Sequence, residues 1–192
     1  MNKTIIELDI HVDIDKAMAF FNRLQKEFVN QRWDGPGAGC DIDNRAEKVY
    51  GWGLQTTHDD ISLPYHHFTD PTGTDYPDYK RTINCVDWSN KVLDIFPYAH
   101  RACVVVSPPD TYVMPHTDNP ETFRVHIPLQ THPDAVWITD EGEVHTKAGK
   151  AYAIDVRYLH GTHNRSSVDR IHLAFSAQRK YWNHVMQISG TI

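Results

Sequence analysis

Cysteine is scarce in this sequence, and long hydrophobic runs are missing. The three cysteines, Cys40, Cys85 and Cys103, lie far apart and form no CxxC pair. An odd, dispersed set argues against a disulfide framework and a zinc knuckle, so we expect reduced thiols and a cytoplasmic protein. No apolar run approaches the ~18 residues of a membrane span. Acidic residues occur as early as Glu7, which leaves no hydrophobic stretch of signal-peptide length at the N-terminus.

Basic residues are outnumbered by acidic ones. Lysine and arginine total 19 against 25 aspartates and glutamates, which gives a formal net charge of −6. Such a chain lacks the electrostatic footprint of a protein that binds nucleic acid or an anionic membrane. Its 192 residues are 40% hydrophobic and 11% aromatic, which predicts one folded domain, residues 1–192, with a substantial core.

The first half of the sequence predicts a mixture of helix, strand and loop. A strand is expected over 3–10, and apolar residues at steps of three and four predict helices over 14–28 and 86–96. Residues 33–39 have the composition of a turn. The long polar stretch 56–82 lacks periodicity and is interpreted as a lid over a substrate. Residues 1–98 would thus support a catalytic core and close over its substrate.

The second half has the short β-type segments of an antiparallel sandwich or barrel. The predicted strands are 99–107, 110–115, 122–130, 135–139, 143–146, 150–155 and 169–177. With helices upstream, this pattern predicts a mainly β fold with flanking helices. Its core, over residues 99–180, would be a double-stranded β-helix, also called a jelly roll or cupin-like fold.

Thirteen histidines are present, and the placement of a few of them suggests a metal site. His116 and Asp118 lie two apart at the end of a predicted strand, so their side chains share one face. A third ligand must come from elsewhere in the chain, and His160 and His163 are both candidates. Two histidines and one carboxylate form the facial triad of non-haem Fe(II) oxygenases, which leaves coordination positions open for other ligands.

Two predicted strands place polar residues opposite an apolar face. The apolar sets are Phe123, Val125, Ile127 and Leu129 on the first strand and Ile171, Leu173 and Phe175 on the second. The opposite sets are Thr122, Arg124 and His126, and Arg170, His172 and Ser176. Taken alone, each of these strands has the pattern of an ordinary strand whose polar side chains face solvent. Two such strands around a candidate triad predict a cavity lined by polar side chains.

The order of these motifs resembles that of the aspartyl/asparaginyl β-hydroxylase family of 2-oxoglutarate oxygenases, which includes free-proline hydroxylases. The matching residues are, in order, His116, Asp118, Arg124, His126, Gly149, Lys150, Ile154, Asp155, His160, Asn164 and Arg170. The matching run, from about residue 99 to residue 177, covers a little under half of the chain. The first 98 residues match no pattern of the family.

The resemblance implies a dioxygenase that uses Fe(II), 2-oxoglutarate and O₂ to hydroxylate an amino-acid side chain, free or in a peptide or protein. His116, Asp118 and His160 would bind the iron, because the spacing to Asn164 and Arg170 favours His160 over His163.

The resemblance also implies roles for the arginines. Arg170 would bind the distal carboxylate of 2-oxoglutarate, and its planar fork suits that partner. Arg124 and His126 would hold the carboxylate beside the keto group. His163 and Asn164 are candidates for contact with substrate.

Two other functions stay open at this point. A zinc- or manganese-dependent hydrolase or isomerase of the cupin type would also use two histidines and an aspartate. A non-catalytic cupin-like binding module would keep the fold and would not need the metal ligands. The pair Arg124 and Arg170 distinguishes these functions, because a hydrolase needs no arginines spaced for a dicarboxylate.

Overall fold

The computed structural model describes residues 3–34, 49–62 and 79–192. The strands within these ranges are β1 (Ile5–His11), β2 (Arg32–Asp34), β3 (Tyr50–Gly53), β4 (Gln55–Thr56), β5 (Lys80–Arg81), β6 (His100–Ser107), β7 (Tyr112–His116), β8 (Thr122–Gln130), β9 (Ala135–Thr139), β10 (Gly142–His145), β11 (Lys150–Ile154), β12 (His160–Asn164), β13 (Arg170–Gln178) and β14 (Ser189–Thr191). The α-helices are α1 (Ile14–Glu27), α2 (Trp88–Ile95) and α3 (Trp182–Val185). Short 3₁₀ turns occupy Val29–Gln31 and Arg179–Tyr181.

Two sheets form the jelly roll. The major sheet has eight strands in the order β14-β1-β11-β8-β13-β6-β3-β2, and the minor sheet has four in the order β10-β9-β12-β7. Trp137 of β9 joins the two sheets, since it packs with Ile154 of β11 and contacts His126 of β8. The predicted double-stranded β-helix is therefore confirmed. A separate pair, β4 and β5, lies outside both sheets.

Helices α1 and α2 belong to the main hydrophobic core, together with one face of the major sheet. The Asp13 side chain caps α1 by accepting a hydrogen bond from the Lys16 N–H. The buried face of α1, which includes Phe20 and Leu24, belongs to the same core as Phe123 and the other apolar residues of β8 and β13. The predicted alternation on these two strands is confirmed. Because successive strand residues point to opposite faces, the polar residues between them face the minor sheet.

The N-terminal strands are part of the same fold as the C-terminal ones. β1 pairs with β11, and β3 pairs with β6, so segments from the first half of the chain widen the major sheet. Within the predicted stretch 56–82, the described ends pair with each other as Gln55–Thr56 and Lys80–Arg81. Residues 63–78, which contain most of the predicted lid, lie outside the described residues, as do 35–39 of the predicted turn.

Strand β12 was not predicted from the sequence. Its residues, HGTHN, contain only one β-branched side chain and show no apolar alternation, so neighbouring strands rather than local propensity impose the extended conformation. β12 is held between β9 and β7 in the minor sheet. Across the described ranges, no helix has the length and apolarity needed to cross a membrane.

Candidate metal centre and active site

His116, Asp118 and His160 come together at the edge between β7 and β12. These strands are antiparallel neighbours, and His160 lies opposite His116 in the register. Asp118 follows the end of β7, and its N–H donates to the Val156 carbonyl at 2.9 Å. One potential ligand atom from each of the three side chains lies within 4.8 Å of the others. The fold therefore brings the predicted ligands into one group that could hold a metal ion.

Both histidines are held in the tautomer that suits metal binding. Nδ1 of His116 lies 2.8 Å from the Met114 carbonyl, and Nδ1 of His160 lies 3.0 Å from the Tyr158 carbonyl. A carbonyl only accepts hydrogen bonds, so each Nδ1 carries a proton, and in the neutral imidazole the lone pair is then on Nε2. The two Nε2 atoms lie 3.6 and 3.7 Å from the Asp118 carboxylate. Burial lowers the pKa of His116, which favours the neutral, ligating form.

Asp118 is ionised at neutral pH. Burial opposes ionisation, but the charge of Arg124 and the interactions with His160 and His116 outweigh it and hold the Asp118 pKa well below its usual range. Arg124 Nη2 lies 2.6 Å from Asp118 Oδ2. The donor set of two imidazoles and one carboxylate fits a divalent transition metal.

The competing ligand, His163, lies outside this group. It is three residues beyond His160 on the same strand, and the alternation of side chains directs it to the opposite face. Its Nδ1 accepts a hydrogen bond from Arg165 Nε at 3.0 Å, and its ring packs edge-on against Tyr112 at 5.2 Å. Its predicted contact with substrate stays a prediction, and its described neighbours are other side chains of the protein surface.

Asn164 stabilises the loop that connects β12 to β13. Its amide nitrogen donates to the Ser107 and Val168 carbonyls, both at 2.8 Å, and its oxygen accepts from the Ser166 hydroxyl at 2.6 Å. These bonds occupy both ends of a fully buried side chain. The predicted role in substrate binding also stays a prediction, while the contacts in the structure give Asn164 a structural role.

Arg170 is buried between the two sheets, and no carboxylate of the residues that the structure describes pairs with it. The residue is 5% exposed, and its guanidinium carbon lies 4.9 Å from the centre of the Trp137 ring. Nε and Nη2 have no hydrogen-bond partner among the residues that the structure describes. Burial lowers the Arg170 pKa to about 9, so the cation persists at neutral pH. Burying an unpaired charge lowers the free energy of unfolding by roughly several kcal/mol. An anionic ligand would offset this cost, so the site fits one.

Two histidines and a serine accompany Arg170 on the inner face of the major sheet. Nδ1 of His172 lies 3.4 Å from Nδ1 of His126. Burial, followed by the charge of Arg170, lowers the His172 pKa well below its usual value, so this imidazole is neutral. Ser107 lies opposite Arg170 in the pairing of β6 with β13. The polar alternation of the second strand predicted that His172 lines the cavity, whereas the position of Ser107 beside Arg170 depends on strand register and was not predicted.

Arg124 and His126, which were predicted to act together, have different surroundings. His126 packs edge-on against Trp137 at 4.8 Å, on the side of Arg170. Arg124 instead borders a separate cavity of about 120 Å³ beside Asp118. Among the described residues, the cavity is lined by His100, Arg101, Asp118, Asn119, Thr122, Arg124 and Ser176. The interior of the jelly roll thus offers two polar sites, one on each side of the Arg124–His126 segment.

An ion-pair network connects the segments that carry the metal ligands. Arg179 Nη2 lies 2.6 Å from Asp155 Oδ1 and donates to the Thr122 carbonyl at 2.7 Å. Asp155, a buried carboxylate, also pairs with Arg157 at 2.7 Å. Asp155 begins the turn before His160, and Thr122 ends the segment that contains Asp118. Arg179 therefore fixes the two segments relative to each other.

A jelly roll with two histidines and one carboxylate on neighbouring strands defines a class of mononuclear metal enzymes in which the triad leaves coordination positions open. The solved structures that are similar to this chain include the following three. A Pseudomonas putida prolyl-4-hydroxylase has a TM-score of 0.52 at 11% identity, over 92% of this chain and 93% of that one. An oxidoreductase of the 2OG-Fe(II) oxygenase family from Burkholderia pseudomallei has a TM-score of 0.48 at 11% identity, over 83% and 89%. A predicted oxalate decarboxylase from Thermotoga maritima has a TM-score of 0.36 at 20% identity, over 44% and 71%.

The similarity to the Pseudomonas putida prolyl-4-hydroxylase supports the fold alone. No curated protein matches the chain by sequence. The model of the aspartyl/asparaginyl beta-hydroxylase family matches residues 78–180, which is more than half of the sequence. The chain therefore belongs to this family, and it is a dioxygenase of the hydroxylase type. The predicted resemblance is confirmed, and it extends into the region before residue 99.

Gly161 sets the distance between the two histidine-bearing strands, which leads to a first prediction. A Cβ at this position would lie 2.6 Å from the Val113 oxygen and 2.8 Å from the Pro115 nitrogen, both on the backbone of β7. We expect Gly161→Ala to lower the free energy of unfolding by about 1–3 kcal/mol, as overpacking does. Because β7 must shift, the Kd for Mn(II), measured by calorimetric titration, should rise about tenfold.

Gly142→Ala is the control for this variant. Gly142 has a positive φ of 107° but open space around its Cβ, so alanine there strains the backbone without moving a neighbour. We expect Mn(II) affinity within about twofold of the original protein. Equal loss of Mn(II) affinity in both variants would contradict the assigned role of Gly161.

A second prediction concerns Arg179. Arg179→Met removes the link between the Asp118 and His160 segments, and we expect the Kd for Mn(II) to rise about tenfold. Arg157→Met is the matched control, because Arg157 pairs with the same carboxylate but has an exposed side chain. Among the described residues, its side chain makes no hydrogen bond to the Asp118 segment. Its Mn(II) affinity should stay within about twofold. Indistinguishable Kd values for the two variants would show that Arg179 does not position the metal ligands.

Proposed function

We propose that this protein is a 2-oxoglutarate- and Fe(II)-dependent dioxygenase that hydroxylates a C–H bond of an amino-acid side chain. His116, Asp118 and His160 would hold the Fe(II). The proposal depends on one observation: a single jelly roll contains both this ligand group and a buried arginine, Arg170, that pairs with no carboxylate among the described residues. Membership of the hydroxylase family supports the same conclusion.

The bound iron and 2-oxoglutarate would supply the oxidising chemistry, in which O₂ is consumed, 2-oxoglutarate becomes succinate and CO₂, and the substrate gains a hydroxyl group. The protein provides binding and orientation. Arg170 would pair with the distal carboxylate, since a guanidinium fork matches a carboxylate bidentately. The Ser107 hydroxyl lies next to it in register and can donate to the same group. His126, on the neighbouring strand, would face the remainder of the cosubstrate.

Trp137 would keep the cosubstrate site dry. Its indole covers the Arg170 guanidinium on one side and contacts His126 on the other. Removing water from such a site strengthens the interaction between a guanidinium and a carboxylate. Arg124, through its ion pair with Asp118, keeps that carboxylate ionised and oriented. These contacts support a site that is arranged before its ligands arrive.

The alternatives explain less of the structure. A zinc- or manganese-dependent hydrolase or isomerase would use the same three ligands but gives no reason for a buried Arg170. A non-catalytic module would give no reason for two histidines held in ligating tautomers by the Met114 and Tyr158 carbonyls. The substrate class, an amino-acid side chain that is free or part of a peptide, follows the family to which the chain belongs.

A visible spectrum tests the proposal without knowledge of the substrate. Metal-free protein is loaded with Fe(II) without oxygen, and 2-oxoglutarate is added. We expect a weak metal-to-ligand charge-transfer band, because the keto acid would chelate the iron. The band should vanish in His160→Ala and survive in His163→Ala, whose side chain faces away from the other ligands. Bound Fe(II) with no band in the original protein would reject the oxygenase and favour the hydrolase or the binding module.

A further inference from the structure

His172 lies in the wall of the proposed cosubstrate site and pairs with a second histidine. Its side chain is almost fully buried, and the alternation along β13 places it on the same face as Arg170. Its ring centre is 5.6 Å from that of His126 on β8, and Trp137 packs against both rings. The two Nδ1 atoms lie 3.4 Å apart, within hydrogen-bonding distance. The two imidazoles therefore form a hydrogen-bonded pair inside the site.

The hydrogen bond between the two Nδ1 atoms has two possible directions. It requires a proton on one Nδ1 and a lone pair on the other, and a neutral imidazole carries only one N–H. If His172 donates, a neutral His126 must carry its own proton on Nε2. If a neutral His126 donates, its Nε2 has only a lone pair. The direction of this one bond thus decides whether His126 can donate to a ligand.

The surroundings of His172 favour it as the donor. Burial and the charge of Arg170 lower the pKa of His172, so the ring is neutral and has a single N–H. Its Nε2 has no hydrogen-bond partner among the residues that the structure describes, and an N–H there would be a buried donor without an acceptor. On Nδ1, the same proton has Nδ1 of His126 as its acceptor. The proton of His172 is therefore better placed on Nδ1.

The chemistry of the cosubstrate selects the same direction. In the proposed function, His126 faces the part of 2-oxoglutarate that contains the keto group and its carboxylate. A carboxylate accepts hydrogen bonds, so it is attracted by an N–H and repelled by a lone pair. A cationic His126 would also donate from Nε2, but it would add a second buried positive charge near Arg170. A neutral His126 with its proton on Nε2 avoids that charge and still donates.

We propose that His172 is a positioning residue, which donates a hydrogen bond to His126 and thereby fixes His126 as the donor to the carboxylate beside the keto group. The inference rests on the proposed function and adds a residue to it. A hydrogen bond at one nitrogen of an imidazole generally sets the state of the other. Strand β13 would then act on both ends of the cosubstrate, directly through Arg170 and indirectly through His172.

Nuclear magnetic resonance reads the tautomer of His126 in the original, metal-free protein. The whole chain is labelled with ¹⁵N-histidine, and a long-range ¹H–¹⁵N correlation spectrum at neutral pH distinguishes a protonated ring nitrogen from one with a lone pair. The signals that disappear in His126→Gln identify His126. We expect its proton on Nε2 and a lone pair on Nδ1. A proton on Nδ1 alone, or on both nitrogens, would overturn the inference.

Two substitutions separate the hydrogen bond of His172 from the volume of its side chain. Leucine fills similar space without a donor, whereas asparagine places an N–H near the position of Nδ1. In His172→Leu, we expect the Kd of the Mn(II)-loaded protein for 2-oxoglutarate, measured by calorimetric titration, to rise about tenfold. In His172→Asn, the Kd should stay within about threefold of the original value. His184→Leu, at an exposed histidine on α3, is the control and should bind normally.

The shorter acid 2-oxobutyrate shows which end of the cosubstrate depends on His172. It keeps the carboxylate beside the keto group and lacks the distal one. We expect His172→Leu to weaken 2-oxobutyrate and 2-oxoglutarate by the same factor, because His126 would bind the end that the two acids share. A loss confined to 2-oxoglutarate would place His172 at the distal carboxylate and contradict the inference.

Failure of this inference and failure of the proposed function give different results. If the original Mn(II)-loaded protein binds no 2-oxoglutarate, the proposed function is wrong, and the role of His172 is wrong with it. If 2-oxoglutarate binds but His172→Leu binds it as tightly as the original protein, only the role of His172 is wrong. The same conclusion follows if His172→Asn weakens binding as much as His172→Leu, because the donor would then not matter.

Discussion

The rest of the structure depends on a guanidinium that is enclosed between two sheets and pairs with no carboxylate in the described part of the chain. Arg170 is almost fully buried, its pKa falls to about 9, and two of its nitrogens have no partner among the described residues. A chain selected for stability alone would replace such a residue with an apolar one. A buried arginine of this kind is explained if an anionic ligand pairs with it. Buried polar residues that destabilise the core are typical of functional sites.

The two sheets contribute different residues around the Arg170 guanidinium. The major sheet carries Arg170 and Arg124 on its inner face, while the minor sheet supplies Trp137 and, at the edge between β7 and β12, the metal ligands. Close contact at Gly161 and the Arg179 network fix the two ligand-bearing segments. The metal group would then lie beside the proposed cosubstrate site, with the polar cavity next to Asp118 on its other flank.

Much of the fold and the metal group could be predicted from the sequence, because alternation and motif order are local signals. The strands 122–130 and 135–139 have the predicted bounds, and the triad residues do lie together. Strand β12 was missed because its neighbours, not its own residues, make it extended. The register shift in β6 between His100 and Cys103 and the pairing of Ser107 with Arg170 depend on the alignment of distant strands, which no single segment encodes.

The most direct measurement compares two keto acids on the Mn(II)-loaded protein by calorimetric titration: 2-oxoglutarate, and 2-oxobutyrate, which lacks the distal carboxylate. If Arg170 holds that carboxylate, the original protein should bind 2-oxoglutarate about 100-fold more tightly. In Arg170→Met this preference should fall to about threefold or less, because the variant removes the same interaction as the shorter acid. A preference that survives in Arg170→Met would contradict the account and place the cosubstrate elsewhere.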